Sequence, residues 1–256
     1  MIKLLKHIKK SSSYIRENPL LSSSIISEAL FGEIFKIEKI QNDWVYGKLL
    51  TDDYQGWINI NDLGKYRKPT HRVIKINTTI YAEKNIKTAF MMLSLGSQLT
   101  VTNIENEWTS IIIDADTGFK KAYILTKDIV PLNHKLRDWV KISEYLIGTP
   151  YFWGGRHSNG LDCSALVQLS LQTNGIKFPR DTNLQVEKSY NTNLNKKNLK
   201  RGDLIFWKGH VGIMQNNTNL IHSNVFHMSV ETENLEEATA RILKSSGGII
   251  KYLRID

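Results

Sequence analysis

The 256-residue sequence contains a single cysteine, Cys163, so no intrachain disulfide can form. Five prolines and sixteen glycines exclude a collagen-like or proline-rich chain. No apolar run is long enough to span a membrane, and charged residues interrupt every apolar stretch of the first 21 positions. The expectation is therefore a protein that stays in the cytoplasm and enters no membrane. There is no second cysteine and no His-x-x-x-His pair, so neither a metal nor an organic cofactor is expected. Acidic residues are in deficit, 25 against 34 Lys and Arg, for a formal charge of +9. A basic balance can signal nucleic-acid binding, but the lysines are scattered. Their densest runs, at 3–10 and 196–201, fall on no nucleic-acid-binding motif, so nucleic acid is not an expected partner. A positive field also attracts carboxylate-rich peptides. With 41% hydrophobic and 23% charged residues, the chain has the composition of a globular protein with a real core.

The front half repeats itself. A shift of 64 residues superposes Gly32 on Gly96, Ile37 on Val101, Ile40 on Ile104 and Trp44 on Trp108. Both copies alternate apolar and polar residues in short runs separated by polar turns, which suits small β-barrels. Trp44, Trp57 and Trp108 read as core residues. Pro69 and Pro131 fall near the joints, so the domains are expected at 1–68, 69–131 and 132–256. Beyond Pro131 the pattern changes. Leu136, Trp139, Val140, Ile142, Tyr145 and Leu146 share one face of a helix expected over 134–148, with Gly148 and Pro150 as stop signals.

The chemistry concentrates in two segments. In the first, a glycine-rich loop leads to Asp162-Cys163-Ser164 and then to an apolar helix over 165–173. Asp162 suits a helix cap. A cysteine in the first helical turn meets the helix dipole and free N–H groups, which favour a thiolate and can bind an oxyanion. On these residues alone, Cys163 reads equally as a packing residue. The second segment reads as three strands, 203–207, 210–214 and 219–223. His210 opens the middle one between glycines 209 and 212, as a base for a cysteine would. His222 is twelve residues on; a turn centred on Asn216 makes the two histidines direct cross-strand neighbours, with His222 holding the His210 ring. A turn of even length would put them on opposite faces and break the triad.

The ordered signals Pro-Tyr-Phe-Trp-Gly-Gly (150–155), Gly-Leu-Asp-Cys-Ser-Ala-Leu-Val (160–167), Phe-Pro-Arg-Asp-Thr-Asn-Leu-Gln (178–185), Lys-Arg-Gly-Asp-Leu-Ile-Phe-Trp (200–207), His-Val-Gly-Ile-Met (210–214) and Leu-Ile-His-Ser (220–223) resemble the NlpC/p60 cysteine peptidases. That resemblance implies a papain-like α+β catalytic domain; the front repeat resembles the bacterial SH3-like domain, through Trp44 and Gly56-Trp57 in the first copy and Trp108 without the Gly-Trp in the second, which implies two small all-β barrels ahead of it. The NlpC/p60 resemblance implies Cys163 as nucleophile, His210 as base, His222 as its orienter and Tyr151 as an oxyanion donor through its hydroxyl.

The whole arrangement resembles the cytoplasmic γ-D-glutamyl-diamino acid endopeptidases, which trim cell-wall peptides during recycling and require a free N-terminal L-alanine. The implied substrate is L-Ala-γ-D-Glu-diamino acid. Asp181, in the Arg180-Asp181-Thr182 stretch, is implied to pair with its amine, and Ser164 and Thr182 to bind its carboxylate. Asp162 lines the same pocket or caps the helix. From the first barrel, Tyr54 and Glu33 are candidates to reach the amine, or are ordinary barrel positions. The alternatives are an exported wall hydrolase with the same catalytic domain, and an inactive wall-peptide binding module.

Overall fold

A computed structural model describes residues 4–115, 118–190 and 194–255. The chain divides into two compact units. One comprises Met1–His134 with Arg156–Ser158, and the other Lys135–Gly155 with Asn159–Asp256. No helix among the described residues is long and apolar enough to cross a membrane.

The first unit holds two small β-domains of one topology. In the first, the strands run Leu4–Ile8, Ser12–Arg16, Ile25–Leu30, Ile34–Gln41, Trp44–Leu49, Gln55–Asn59 and Leu63–Lys65. They lie side by side as third, second, sixth, fifth, fourth, first and seventh. The second domain keeps this order, but its fourth strand is broken into Gln98–Leu99 and Val101–Ile104, so one sheet becomes a five-stranded and a three-stranded piece. Alternation builds the cores: along Trp44–Leu49 every second side chain is buried, and Val45 and Leu49 meet Ile8, Ile15, Phe35 and Ile58. Gly32 and Gly96 both turn the chain with positive φ, 76° and 86°. A Cβ on Gly32 would sit 1.9 Å from the Gln98 carbonyl oxygen, so only glycine fits there. Of the three tryptophans expected in the cores, only Trp57 is buried. Trp44 and Trp108 open their strands half-buried, because the first residue of each strand lies at the rim of its sheet.

The second unit is α+β. Its antiparallel sheet runs, in spatial order, Ser229–Asn234, Asn219–Asn224, His210–Met214, Leu204–Trp207 and Lys251–Leu253. Helix α1 covers only Val140–Tyr145, not the expected 134–148. Asp138 accepts a hydrogen bond from the Val140 N–H at 3.2 Å and also binds Arg201, which pins the helix start there. Gly148, with φ 84°, closes the turn after it.

Helix α2, Cys163–Gln172, is the buried axis of the unit: Ala165, Leu166, Val167 and Leu171 are fully buried, and it packs on strands His210–Met214 and Asn219–Asn224. Burial on this scale stabilises by about 1.5–3 kcal/mol per large aliphatic side chain. Helix α3, Thr182–Val186, is a short turn that follows Asp181. Helix α4, Leu235–Ser246, is capped by Asn234 and lays Leu235, Ala238 and Ile242 against Ile205, Trp207, Met214 and Leu220 of the sheet.

Candidate active site

Cys163 is the first residue of α2, and the cap beneath it is over-determined. Asp162 Oδ1 accepts from the Ala165 N–H at 2.9 Å, and Oδ2 accepts from the Gly154 N–H at 3.0 Å. Arg180, 2% exposed, grips both oxygens at 2.8 and 2.7 Å. The Ser164 hydroxyl donates to Asp162 and accepts from Arg180. Asp162 therefore caps the helix, one of the two roles open to it from the sequence, and its charge acts on both Cys163 and Tyr151. Arg180 and Ser164 are likewise committed to this buried network: a bidentate guanidinium and one hydroxyl satisfy a carboxylate that burial would otherwise penalise.

The Cys163 sulfur lies 3.7 Å from the Thr182 hydroxyl, at the start of α3 beside Asp181. It also accepts the backbone N–H of Val211, which places it at the head of the strand that His210 opens. Tyr151 is half-buried and near the sulfur. Burial, then the neighbouring Cys163 and Asp162, push its hydroxyl well above the usual tyrosine range, so it keeps its proton as a donor.

The histidines meet, though not by the expected register. Met214 pairs with Leu220 and Ile213 with Ile221, so the hairpin is centred on Asn217 rather than Asn216. Asn216 sets this turn by accepting from the Thr218 and Asn219 N–H groups. Continued, the register puts Gly212 opposite His222 and makes His210 its diagonal neighbour. Parity is kept, so both rings share a face, with His210 Nε2 2.9 Å from His222 Nδ1.

One residue of this chain was not singled out from the sequence. His222 Nε2 lies 2.9 Å from Glu233 Oε2, and Arg241 of α4 binds the same carboxylate. Glu233 is again a diagonal neighbour, because His222 pairs directly with Glu231. The usable signal was the alternation Glu231-x-Glu233 one strand beyond the histidine. Glu231 instead accepts from the Ser229 hydroxyl at 2.8 Å.

The electrostatics define the proton positions. Burial alone would raise Glu233, but the hydrogen bonds from His222 and Arg241 outweigh it and hold the carboxyl at about 2. An ionised carboxylate only accepts, so His222 Nε2 carries a hydrogen. Burial lowers the His222 pKa and favours a neutral ring, whose Nδ1 must then accept the proton on His210 Nε2. His210 is neutral too, pushed down to about 3 by burial, His222 and Arg241. Its Nδ1 is left bare, as a base requires. The thiol is not the expected helix-dipole thiolate. Burial, and secondarily Asp162, push Cys163 up to about 11 against the help of Thr182 and Val211.

His222, His227 and Glu233 put three ligand atoms within 4.8 Å of one another, the geometry a metal ion could use. His222 and Glu233 are already bound to each other and Glu233 to Arg241, while His227 Nδ1 lies 3.1 Å from Asn224 Oδ1. A cation here would face the Arg241 charge.

In the first unit, Glu33 is 1% exposed. Its carboxylate is taken by Arg156 Nη1 and Nη2 at 3.0 and 3.1 Å and by the Leu30 N–H at 2.8 Å. It is a buried structural ion pair, which corrects its candidacy for the substrate amine. The Tyr54 ring packs on the first domain's core, and its hydroxyl donates to the Ile26 carbonyl at 3.1 Å.

A helix-borne cysteine against an antiparallel sheet, with a histidine heading the neighbouring strand, defines the α+β fold of a papain-like cysteine peptidase domain. Residues 148–243 match the NlpC/P60 family, and residues 15–63 match the bacterial dipeptidyl-peptidase Sh3 domain, so the chain carries an NlpC/P60 domain behind a bacterial SH3 domain. It is 26% identical to Dipeptidyl-peptidase 6 of Lysinibacillus sphaericus, over 86% of this chain and 87% of that one. It is 27% identical to the Gamma-D-glutamyl-L-lysine dipeptidyl-peptidase of Bacillus subtilis, over 83% of this chain and 77% of that one. The crystal structure of an NlpC/P60 family protein from Bacillus cereus shares the fold, with a TM-score of 0.81 at 21% identity, covering 97% of this chain and 99% of that one.

Proposed function

We propose that this protein is a cysteine peptidase that hydrolyses the γ-D-glutamyl-diamino acid bond of free cell-wall peptides carrying an unblocked N-terminal L-alanine, in peptidoglycan recycling. The observation that carries the reading is the alternating chain Glu233, His222, His210, which leaves His210 Nδ1 as an acceptor. The names of its relatives, a dipeptidyl-peptidase and a γ-D-glutamyl-L-lysine dipeptidyl-peptidase, support the bond assigned.

In this mechanism the thiol and imidazole are both neutral at rest, since burial disfavours either charge alone. His210 Nδ1 takes the Cys163 proton as the sulfur attacks the γ-carbonyl carbon of D-glutamate. The carbonyl π pair moves to oxygen, and the oxyanion accepts from the Tyr151 hydroxyl and the Cys163 N–H, which has no intrahelical partner at the first helical position. Collapse breaks the C–N bond, and His210 gives its proton to the leaving amine of the diamino acid. Water, activated by the same imidazole, then hydrolyses the thioester. The imidazolium formed in passing is stabilised through His222 by the Glu233 carboxylate.

Asp181 is the proposed partner of the L-alanine ammonium. It adjoins Thr182, whose hydroxyl is 3.7 Å from the sulfur and which is the remaining candidate for the substrate carboxylate. A carboxylate aimed at an ammonium rejects an acylated amine, because the blocked peptide leaves it unpaired. The test is incubation with L-Ala-γ-D-Glu-diaminopimelate beside its N-acetylated form, read by mass spectrometry. Release of L-Ala-D-Glu from the free-amine peptide alone is expected. Equal cleavage of both refutes the amine pocket, and cleavage of neither refutes the substrate.

A further inference from the structure

The two β-domains of the first unit are an internal control for each other. Several of their strand pairings correspond. Trp44 pairs with Asn59 and Arg16 with Trp57 in the first; Trp108 pairs with Leu125 and Tyr81 with Tyr123 in the second. A shared hydrogen bond fixes the alignment: Ser13 donates to Asp62 at 2.7 Å, and Thr78 donates to Asp128 at 2.7 Å. Arg16 therefore stands where the second domain has Tyr81, and Asn59 where it has Leu125.

The substitution changes what covers the tryptophan. In the second domain Tyr81 packs edge-on against Trp108, with ring centroids 5.2 Å apart. In the first, Arg16 donates to the Ser23 carbonyl at 2.6 Å, with its guanidinium 5.8 Å from the Tyr14 ring centroid. Trp44 then borders a cleft of about 380 Å³, whose walls include Lys10, Tyr14, Arg16, Leu21 and Asn59. That volume suits a small ligand.

We propose that this cleft is a second binding site, separate from the peptidase chemistry, for a short acidic peptide segment that joins an aliphatic side chain to a carboxylate. Trp44 and Tyr14 offer aromatic surface, and Leu21, 77% exposed, extends the apolar wall. A hydroxyl-rich sugar gains little from such a leucine, whereas an aliphatic side chain gains by burial. Lys10 and Arg16 supply two positive charges. Asp62, the one carboxylate among the lining residues, is tied to Ser13. The balance favours an anion. Asn59 and Asn61 add amide groups for a peptide backbone.

The test uses the full-length protein labelled with ¹⁵N and follows the tryptophan indole N–H signals, with that of Trp44 identified by its loss in Trp44→Phe. Acetyl-Leu-Glu is expected to move the Trp44 signal with a Kd of about 1 mM, more weakly at high salt. Acetyl-Leu-Gln-amide and N-acetylglucosamine should leave it in place. Arg16→Tyr gives the first domain the residue of its repeat; it should abolish the response and leave turnover of the wall peptide unchanged. Lys10→Gln should weaken the response at least several-fold, and serves if Arg16→Tyr does not fold. Equal responses to the charged and uncharged dipeptides, a response to the sugar alone, no response to any probe, or undiminished binding in Lys10→Gln overturns the proposal.

Discussion

Glu233 Oε2 lies 2.9 Å from His222 Nε2, two residues along its strand from the position that faces the histidine. This contact sets the tautomers of two imidazoles at once. Glu233→Gln can present an N–H to His222, reverse the hydrogen bonds and place a hydrogen on His210 Nδ1. A fall in kcat of roughly 10- to 100-fold is expected, with KM little changed. ¹⁵N chemical shifts of the His210 ring, which report its tautomer, should switch. A loss of activity without that switch would make Glu233 a merely structural residue.

Cys163→Ala removes one sulfur atom at a site 7% exposed, so the fold should persist with a stability change of about 1 kcal/mol or less. Turnover should vanish. Circular dichroism and thermal melting beside the peptide assay check both halves, and residual turnover near the native rate would discard the nucleophile.

Alkylation of the resting protein should be slow. With the thiol held up at about 11, iodoacetamide labelling near neutrality should fall below that of a free cysteine and climb with pH beyond 9. Fast labelling at pH 7 would mean that a thiolate–imidazolium pair already exists at rest.

Stability should fall on the acid side. His210 is pushed down to about 3, so between that value and its ordinary 6.5 the unfolded chain binds more protons and stability drops as pH falls. Glu233, held at about 2, adds a stabilisation that is present above its ordinary 4.5 and lost as pH falls toward 2. Cys163 acts at the other end, its contribution being lost as pH rises from 9 to about 11. Thermal melts from pH 3 to 7 should show a rising Tm, with a shallower rise in Glu233→Gln. An equal slope in that variant would count against the assignment.

Arg180→Met leaves the Asp162 carboxylate, 8% exposed, without its bidentate partner. The expected cost is about 3 kcal/mol in urea denaturation, since a buried charge loses its counter-ion. Arg180→Lys keeps the charge but not the fork, and should cost less. A loss below about 1 kcal/mol in the methionine variant would show that the remaining hydrogen bonds of Asp162 suffice.

Much of this architecture was legible because local rules wrote it. Short apolar runs bounded by Gly209 and the Asn216-Asn217 turn marked the strands around His210 and His222, and Asp162 before an apolar run marked the start of α2. Gly32 and Gly96 betrayed the repeat because both need a positive φ. Periodicity overstated α1, since it records which residues are apolar but not that Asp138 pins the helix start. It also put Trp44 and Trp108 in the cores, although alternation does not show where a strand reaches its rim.

The sequence by itself determined the cysteine at a helix start and the two histidines whose spacing keeps them on one face, and these follow from short-range steric and hydrogen-bonding preferences; the α+β class came from the resemblance of its ordered motifs. Which charges met which partners was decided only by tertiary structure. Arg180 came to Asp162, and Glu233 rather than Glu231 came to His222. Glu33 was sealed against Arg156. A titratable group is defined by what surrounds it within a few ångströms. For Cys163 that surrounding is a buried pocket, where desolvation outweighs the hydrogen bonds from Thr182 and Val211.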